Sequence, residues 1–324
     1  MQEIYAPHNA RLFDYLGYSI PEWVSVSSVD SGTDSKAFNP PAADAYTKST
    51  TVTTTAPPPL PKAVVSTASS SSNNILAHVD NALTSHEGLF AQIGTRTGTD
   101  KIFHHGYHRF YPPLLDRFRS VDGGGMLEIG VDESKSLRLW LEYFPLAFIY
   151  GIDIGVTKGG ARFKIMQADQ SKTPELRRLV KDEIKHPLFF IIDDGSHIPE
   201  HQVSSFDYLF GDVLLPGGTY IIEDIETSYW KKNGLYGYDT RYGYHHQYSV
   251  VEVFKDLLDD IQQEFLNREA RDTQDRRMHG CVSRDTRNKI NTIAFGQNCI
   301  LITKKTAAEH EEFDGRRYRF GKNL

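Results

Sequence analysis

The chain has 324 residues, 39% hydrophobic and 24% charged, an ordinary balance for a soluble globular protein. A formal charge of -6 and a pI near 6.1 argue against a dedicated nucleic-acid binder, which carries a basic surface. Cys281 and Cys299 are too few for a disulfide framework and form no C-x-x-C zinc pair, which fits a reducing, cytoplasmic compartment. No apolar run approaches the roughly 20 residues that span a bilayer, and the N-terminus shows no signal-peptide pattern.

Residues 1–24 read as a short N-terminal appendage. Leu12, Phe13, Leu16 and Trp23 suffice for one amphipathic helix, either weakly packed or a docking motif. Residues 25–74 are rich in Ser, Thr and Pro, with stretches such as "TKSTTVTTTAPPPLPK". Such a segment buries too little apolar surface to offset its ordering entropy, and it reads as a disordered linker.

Residues 75–324 are regular and read as one domain. Apolar runs "GMLEIGV", "AFIYGIDIG", "RFKIMQAD", "LFFIIDDG" and "GTYIIED" alternate with helix-like "SLRLWLEYF", "TPELRRLVKDEI" and "PEHQVSSFDYLF". That alternation predicts an α/β, Rossmann-like, doubly wound and mainly parallel sheet. "INTIAFGQ" and "CILITKK" leave no room for a helix between them, so they predict an antiparallel C-terminal hairpin at one edge.

In an open parallel sheet, ligands sit beyond the carboxyl ends of the strands. The first strand ends at Glu128 and Gly130, with Ser134 and Ser136 following. The second ends at Asp153, where an acid commonly grips ribose hydroxyls. The third delivers Asp169 and Gln170 toward an adenine edge, the fourth Asp193, Asp194 and His197, the fifth Glu223 and Asp224. Carboxylates gathered at one end repel each other, and a hard cation such as Mg²⁺ is the usual remedy. Asp194, Glu223 and Asp224 are the candidate metal ligands, and His197 is the candidate general base. The competing structural reading has Asp193 and Asp224 capping helices or pairing with Lys231 or Lys232.

"GTDKIFHHGYHRFYPPLLDRF", "LEIGVDESKSLRLWLEYFP", "IYGIDI", "QADQS", "IIDDGSH" and "LLPGGTYIIEDIETSYW" occur here in an order that resembles class I S-adenosylmethionine-dependent methyltransferases. Among these it resembles the metal-dependent sugar O-methyltransferases of macrolide biosynthesis, the mycinamicin VI 2''-O-methyltransferase type, over about Gly94 to Lys304. The resemblance implies the seven-stranded methyltransferase fold. It implies S-adenosyl-L-methionine contacts from Thr99, Glu128, Gly130, Ser136, Asp153, Asp169, Gln170 and Asp194. It further implies Mg²⁺ on Asp194, Glu223 and Asp224, and His197 drawing a proton from an acceptor hydroxyl. The expected partner is a hydroxylated small molecule, with no nucleic acid or membrane, and the resemblance also allows a homo-oligomer.

The chain departs from that pattern after "EIGV", where Asp132, Glu133, Ser134 and Lys135 replace the usual glycines. A catechol-like acceptor, or a non-catalytic binding protein on the same fold, are the alternative readings. Lys231 to Ser249, rich in Tyr and Gly, is expected either to cover the acceptor or to form a surface Ω-loop.

Overall fold

The computed structural model describes residues 88–230 and 240–313, the last three by backbone alone. All of these lie in the unit Val65–Leu324. The appendage expected over 1–24 and the linker expected over 25–74 fall outside the described residues, as do residues 231–239.

Helix α1 (Leu89–Thr97) buries Phe90, Ala91, Ile93 and Gly94, a helical spacing that forms one apolar face. It stops at Gly98, whose φ of 71° places it in the left-handed conformation that ends many helices. The single-turn helix α2 (Asp100–Phe103), a 3-10 turn (Tyr107–Arg109) and α3 (Pro112–Leu115) follow. The alternating part comprises β1 (Gly125–Ile129), α4 (Lys135–Tyr143), β2 (Phe148–Asp153), β3 (Lys158–Gly160) and β4 (Phe163–Gln167). It continues through α5 (Thr173–Glu183), β5 (Leu188–Asp193), α6 (Pro199–Tyr208) and β6 (Leu214–Glu223). Then come α7 (Val250–Ile261), α8 (Arg268–Met278), α9 (Arg284–Asn288), β7 (Ile290–Gly296), β8 (Cys299–Lys304) and α10 (Ala307–Phe313).

The strands form one sheet in the order β3-β4-β2-β1-β5-β6-β8-β7. β4, β2, β1, β5 and β6 are mutually parallel, while β8 runs antiparallel to β6 and β7 antiparallel to β8. The parallel core and the edge hairpin are as expected. The eighth strand is not: β3 pairs antiparallel with β4 at the other edge. All three of its residues, Lys158, Gly159 and Gly160, are exposed, so it carries no apolar signature.

Strand alternation divides the apolar side chains between two faces. Leu127, Ile129, Tyr150, Ile152, Ile191, Tyr220 and Ile222 meet Val203 and Phe206 of α6 and Phe254 and Leu257 of α7. Met126, Ile149, Phe190, Ile192 and Ile221 meet Phe90 and Ile93 of α1 and Trp140 and Tyr143 of α4. Because both faces are covered, the central strand β5 reads as a continuous apolar run up to Asp193, whereas β4, nearer the edge, keeps Lys164 and Gln167. The chain switches direction at β1, from which β2 and β4 extend one way and β5 and β6 the other. The loops leaving β1 and β5 therefore part, and a crevice opens between them.

Beside the sheet, a buried charge pair ties three helices together. Arg287 of α9, with 4% of its side chain exposed, lies 2.5 Å from Asp260 of α7 and also pairs with Asp275 of α8. Gln274 donates to the other Asp260 oxygen at 2.8 Å. Removing the cation would leave Asp260 buried without a counter-charge. Arg287→Met is expected to cost about 3–5 kcal/mol in urea unfolding, and a loss below about 1 kcal/mol would show the pair to be dispensable.

Candidate active site

The crevice beyond β1 and β5 is built on two close approaches, one to backbone and one to a side chain. Gly130 has φ 81°, and a Cβ there would stand 2.0 Å from the Asp194 carbonyl oxygen. A Cβ on Gly195 would stand 2.3 Å from Gln170 Oε1. Glycine is required at Gly130 for the β1 and β5 loops to touch, and Gly195 leaves room for the Gln170 side chain. Gln170 reinforces the junction: its Nε2 donates to both Asp193 oxygens at 2.8 and 2.7 Å, and its Oε1 accepts from the Ser196 amide. Asp193 is fully buried, and burial pushes its carboxyl up to about 6 against the opposing hydrogen bond from Gln170. Its task is structural.

The glycine-poor loop after β1 keeps a glycine-like path. Asp132 (φ 40°) and Ser134 (φ 64°) take left-handed conformations despite their side chains. Asp153, at the end of β2, holds that path. Its Oδ2 accepts from the Val131 and Asp132 amides at 3.0 and 3.2 Å, and its Oδ1 from Gly155 and Val156 at 2.8 and 3.1 Å. Burial works against its charge, but these four amides outweigh it and keep the carboxyl below its ordinary value.

The other end of the crevice is acidic. His197 (φ 54°) and Asp224 (φ 52°) both sit in the left-handed region, a strain that positions their side chains. His197 Nε2 lies 3.4 Å from Asp194 Oδ1 and 3.5 Å from Asp224 Oδ2. The remaining oxygen of each acid is taken. Lys101 donates to Asp194 Oδ2 at 2.7 Å, while Tyr107 and Asn298 donate to Asp224 Oδ1 at 3.1 and 2.8 Å. Glu223 has both oxygens occupied, by Tyr111 at 2.5 Å and Lys101 at 2.5 Å.

Electrostatics follow from this wiring. Burial would raise Asp194, but Lys101 and His197 prevail and hold it below the usual carboxylate range. Burial and the nearby Asp194 charge push Asp224 up. Burial also works against the charge on His197, yet the Asp194 hydrogen bond and the Asp224 charge lift it to about 9. Burial pushes Glu128 up to about 7, opposed by Lys101.

A cleft of about 570 Å³ runs between the two ends, a volume suited to a small ligand. It is lined by Thr99, Gly130, Ser136, Asp153, Asp194, His197 and Asp224 among the residues anticipated from sequence. Glu128, Asp169, Gln170 and Glu223 do not line it. Glu128 is buried and accepts from Ser136 Oγ at 2.8 Å and Trp140 Nε1 at 3.1 Å. Asp169 accepts from the Ser171 amide and hydroxyl at the start of α5. Tyr244 and Tyr248, in the described part of the tyrosine-rich loop, are exposed and do not line the cleft.

Asp194, His197 and Asp224 each offer one ligand atom within 4.8 Å of the others. The two carboxylate oxygens that face His197 suit a divalent cation that completes its shell with water or substrate oxygens, which would leave the imidazole nitrogen to the proton. Residues that sequence reasoning did not single out complete the site: Lys101, His105, Tyr107, Tyr111 and Asn298. His105 Nδ1 lies 3.5 Å from Asp224, and its ring stacks on Tyr107 at 4.9 Å. Asn298 is the turn residue of the β7–β8 hairpin, which carries its amide to Asp224. Only the "GTDKIFHHGYHRFYPP" block gave a signal for the others, as part of the family likeness.

No family model matches the chain. A Streptomyces olivaceus protein, 8-demethyl-8-alpha-L-rhamnosyl tetracenomycin-C 2'-O-methyltransferase, is 33% identical over 235 residues, 68% of this chain and 56% of that protein. Mycinamicin VI 2''-O-methyltransferase from Micromonospora griseorubida is 37% identical over 153 residues, 43% of this chain and 37% of that protein. Among solved structures, the MycE methyltransferase in complex with Mg, SAH and mycinamycin VI superposes with a TM-score of 0.57. It is 27% identical and covers 68% of this chain and 55% of that one. The fold is the methyltransferase fold, and the chain resembles the MycE-type sugar O-methyltransferases. It spans about half the length of the first of these curated relatives.

Proposed function

We propose that the chain is an S-adenosylmethionine-dependent, Mg²⁺-dependent O-methyltransferase acting on a hydroxyl of a sugar or glycosylated natural product. One observation carries this reading. Asp194 Oδ1 and Asp224 Oδ2 flank His197 Nε2 at one end of a cleft whose other end is the Gly130–Asp153 loop junction. The names of the relatives, which specify methylation of sugar hydroxyls, support the acceptor class.

Thr99, Gly130, Ser136 and Asp153 would hold the cofactor along the cleft, with Glu128, Asp169 and Gln170 supporting from behind. Asp194 and Asp224 would hold the cation, with Glu223 beside them. When bound, the cofactor supplies an electrophilic methyl group, and the cation supplies positive charge that makes an acceptor hydroxyl more acidic.

The chain's own residues supply orientation and proton acceptance. Lys101 on one acid, and Tyr107 and Asn298 on the other, turn a single oxygen of each toward the cleft. His197 Nε2 lies between those oxygens, within reach of a hydroxyl held there. Beside these two carboxylates His197 is lifted to about 9 and keeps its proton at neutral pH. Charge placed on Asp194 and Asp224 would lower it toward the range where imidazole accepts a proton. The base function and the cation site are thus linked through the same two acids.

Calorimetric titration with S-adenosylhomocysteine, with and without Mg²⁺, tests the reading. Binding with one-to-one stoichiometry is expected. No heat of binding at high micromolar protein would rule out the enzyme.

A further inference from the structure

Lys101 is fully buried, yet it stands at the centre of the acidic site. Its Nζ lies 2.7 Å from Asp194 Oδ2, 2.5 Å from Glu223 Oε2 and 3.7 Å from Glu128 Oε1. A lysine is rarely buried unless paired, and this one meets three carboxylates from three strand ends. Its inward placement is built into the fold. Ile102 packs so closely on α1 that a Cβ on Gly94 would stand 2.2 Å from Ile102 Cγ1, which presses α2 against α1.

We propose that Lys101 is a positioning residue and the resident cation of the site. It keeps Glu128, Asp194 and Glu223 in one arrangement before a divalent ion arrives and leaves Asp194 a single oxygen to offer. The same ammonium joins the two halves of the cleft. Glu128 reaches Ser136 on the cofactor side, and Asp194 reaches His197 on the acceptor side. Without Lys101 the buried Glu128 and Glu223 and the half-buried Asp194 would have no nearby ammonium, and the site would depend on an external cation to assemble. The proposal rests on the divalent-cation reading above.

The test is thermal unfolding of wild type, Lys101→Met and Lys101→Arg, each in Mg²⁺ and in chelator. In Lys101→Met the chelator form should lose the most stability, making the Mg²⁺-induced rise in Tm at least about twice that of wild type. Lys101→Arg, which keeps the charge, should return the rise toward the wild-type value. Equal losses with and without Mg²⁺ would show Lys101 to be an ordinary core residue and overturn the proposal, leaving the cation site standing. No rise in any of the three proteins would overturn the cation reading and this one with it. Should Lys101→Met not fold in chelator, recovery on refolding in Mg²⁺ supports the proposal, and failure in both conditions overturns it.

Discussion

Asp194→Ala is expected to abolish Mg²⁺ binding measured by calorimetry and to lower methyl transfer on the order of 10³-fold, the scale of several kcal/mol of lost charge stabilisation. The substitution removes one of the two oxygens that face His197 and frees Lys101 from its bond on that side. Cofactor binding should suffer less, because Gly130, Ser136 and Asp153 line the cleft as well and remain in the variant. Wild-type turnover in the variant would move the cation elsewhere.

His197→Asn is expected to reduce turnover by roughly 10²–10⁴-fold while S-adenosylhomocysteine still binds, the range for a lost general base. Asparagine is the suitable replacement because the position has φ 54°, which asparagine tolerates better than most residues. The metal-free protein offers a second readout. The folded pKa of His197 is raised to about 9 from 6.5, so its contribution to stability is complete below about 6.5 and is lost as pH rises through 9. The stability gap between wild type and variant should therefore shrink across that window. A gap that is constant or grows with pH would mean that His197 is not held as a cation by Asp194 and Asp224.

The sheet was legible because burial on both faces imprints itself on local sequence. "LFFIIDD" has its first six residues buried and reads as a central strand without any tertiary knowledge. β3 was illegible because "KGG" is exposed throughout and exists only through its pairing with β4. The acids at the strand ends were legible for a topological reason: every parallel strand delivers its C-terminal residues to one edge. Their wiring was not. Glu223 follows an apolar run much as Asp194 does, yet its carboxylate is held by Tyr111 and Lys101, which come from more than 100 positions earlier. A lysine in "GTDKIF" looks like a surface residue, and an asparagine in "GQNC" looks like a turn. That the first reaches Asp194 and the second Asp224 depends on how α2 and the β7–β8 hairpin dock, which no local pattern records.

The β1 loop shows the same division. The replacement of glycine by Asp132 and Ser134 was plain in the sequence. The backbone takes left-handed conformations at both residues, with the Asp153 carboxylate gripping the Val131 and Asp132 amides, a path the sequence alone did not reveal. Cβ strain at two positions is tolerated where hydrogen bonds from a neighbouring strand end over-determine the path.

The most direct test is transfer of a labelled methyl group from S-adenosylmethionine to a panel of glycosylated acceptors in Mg²⁺, in chelator, and after Mg²⁺ is restored. Transfer should appear with Mg²⁺, vanish in chelator and return on restoration, and it should fall on the order of 10³-fold in Asp194→Ala. Transfer that persists in chelator and in Asp194→Ala would contradict the role assigned to Asp194 and Asp224.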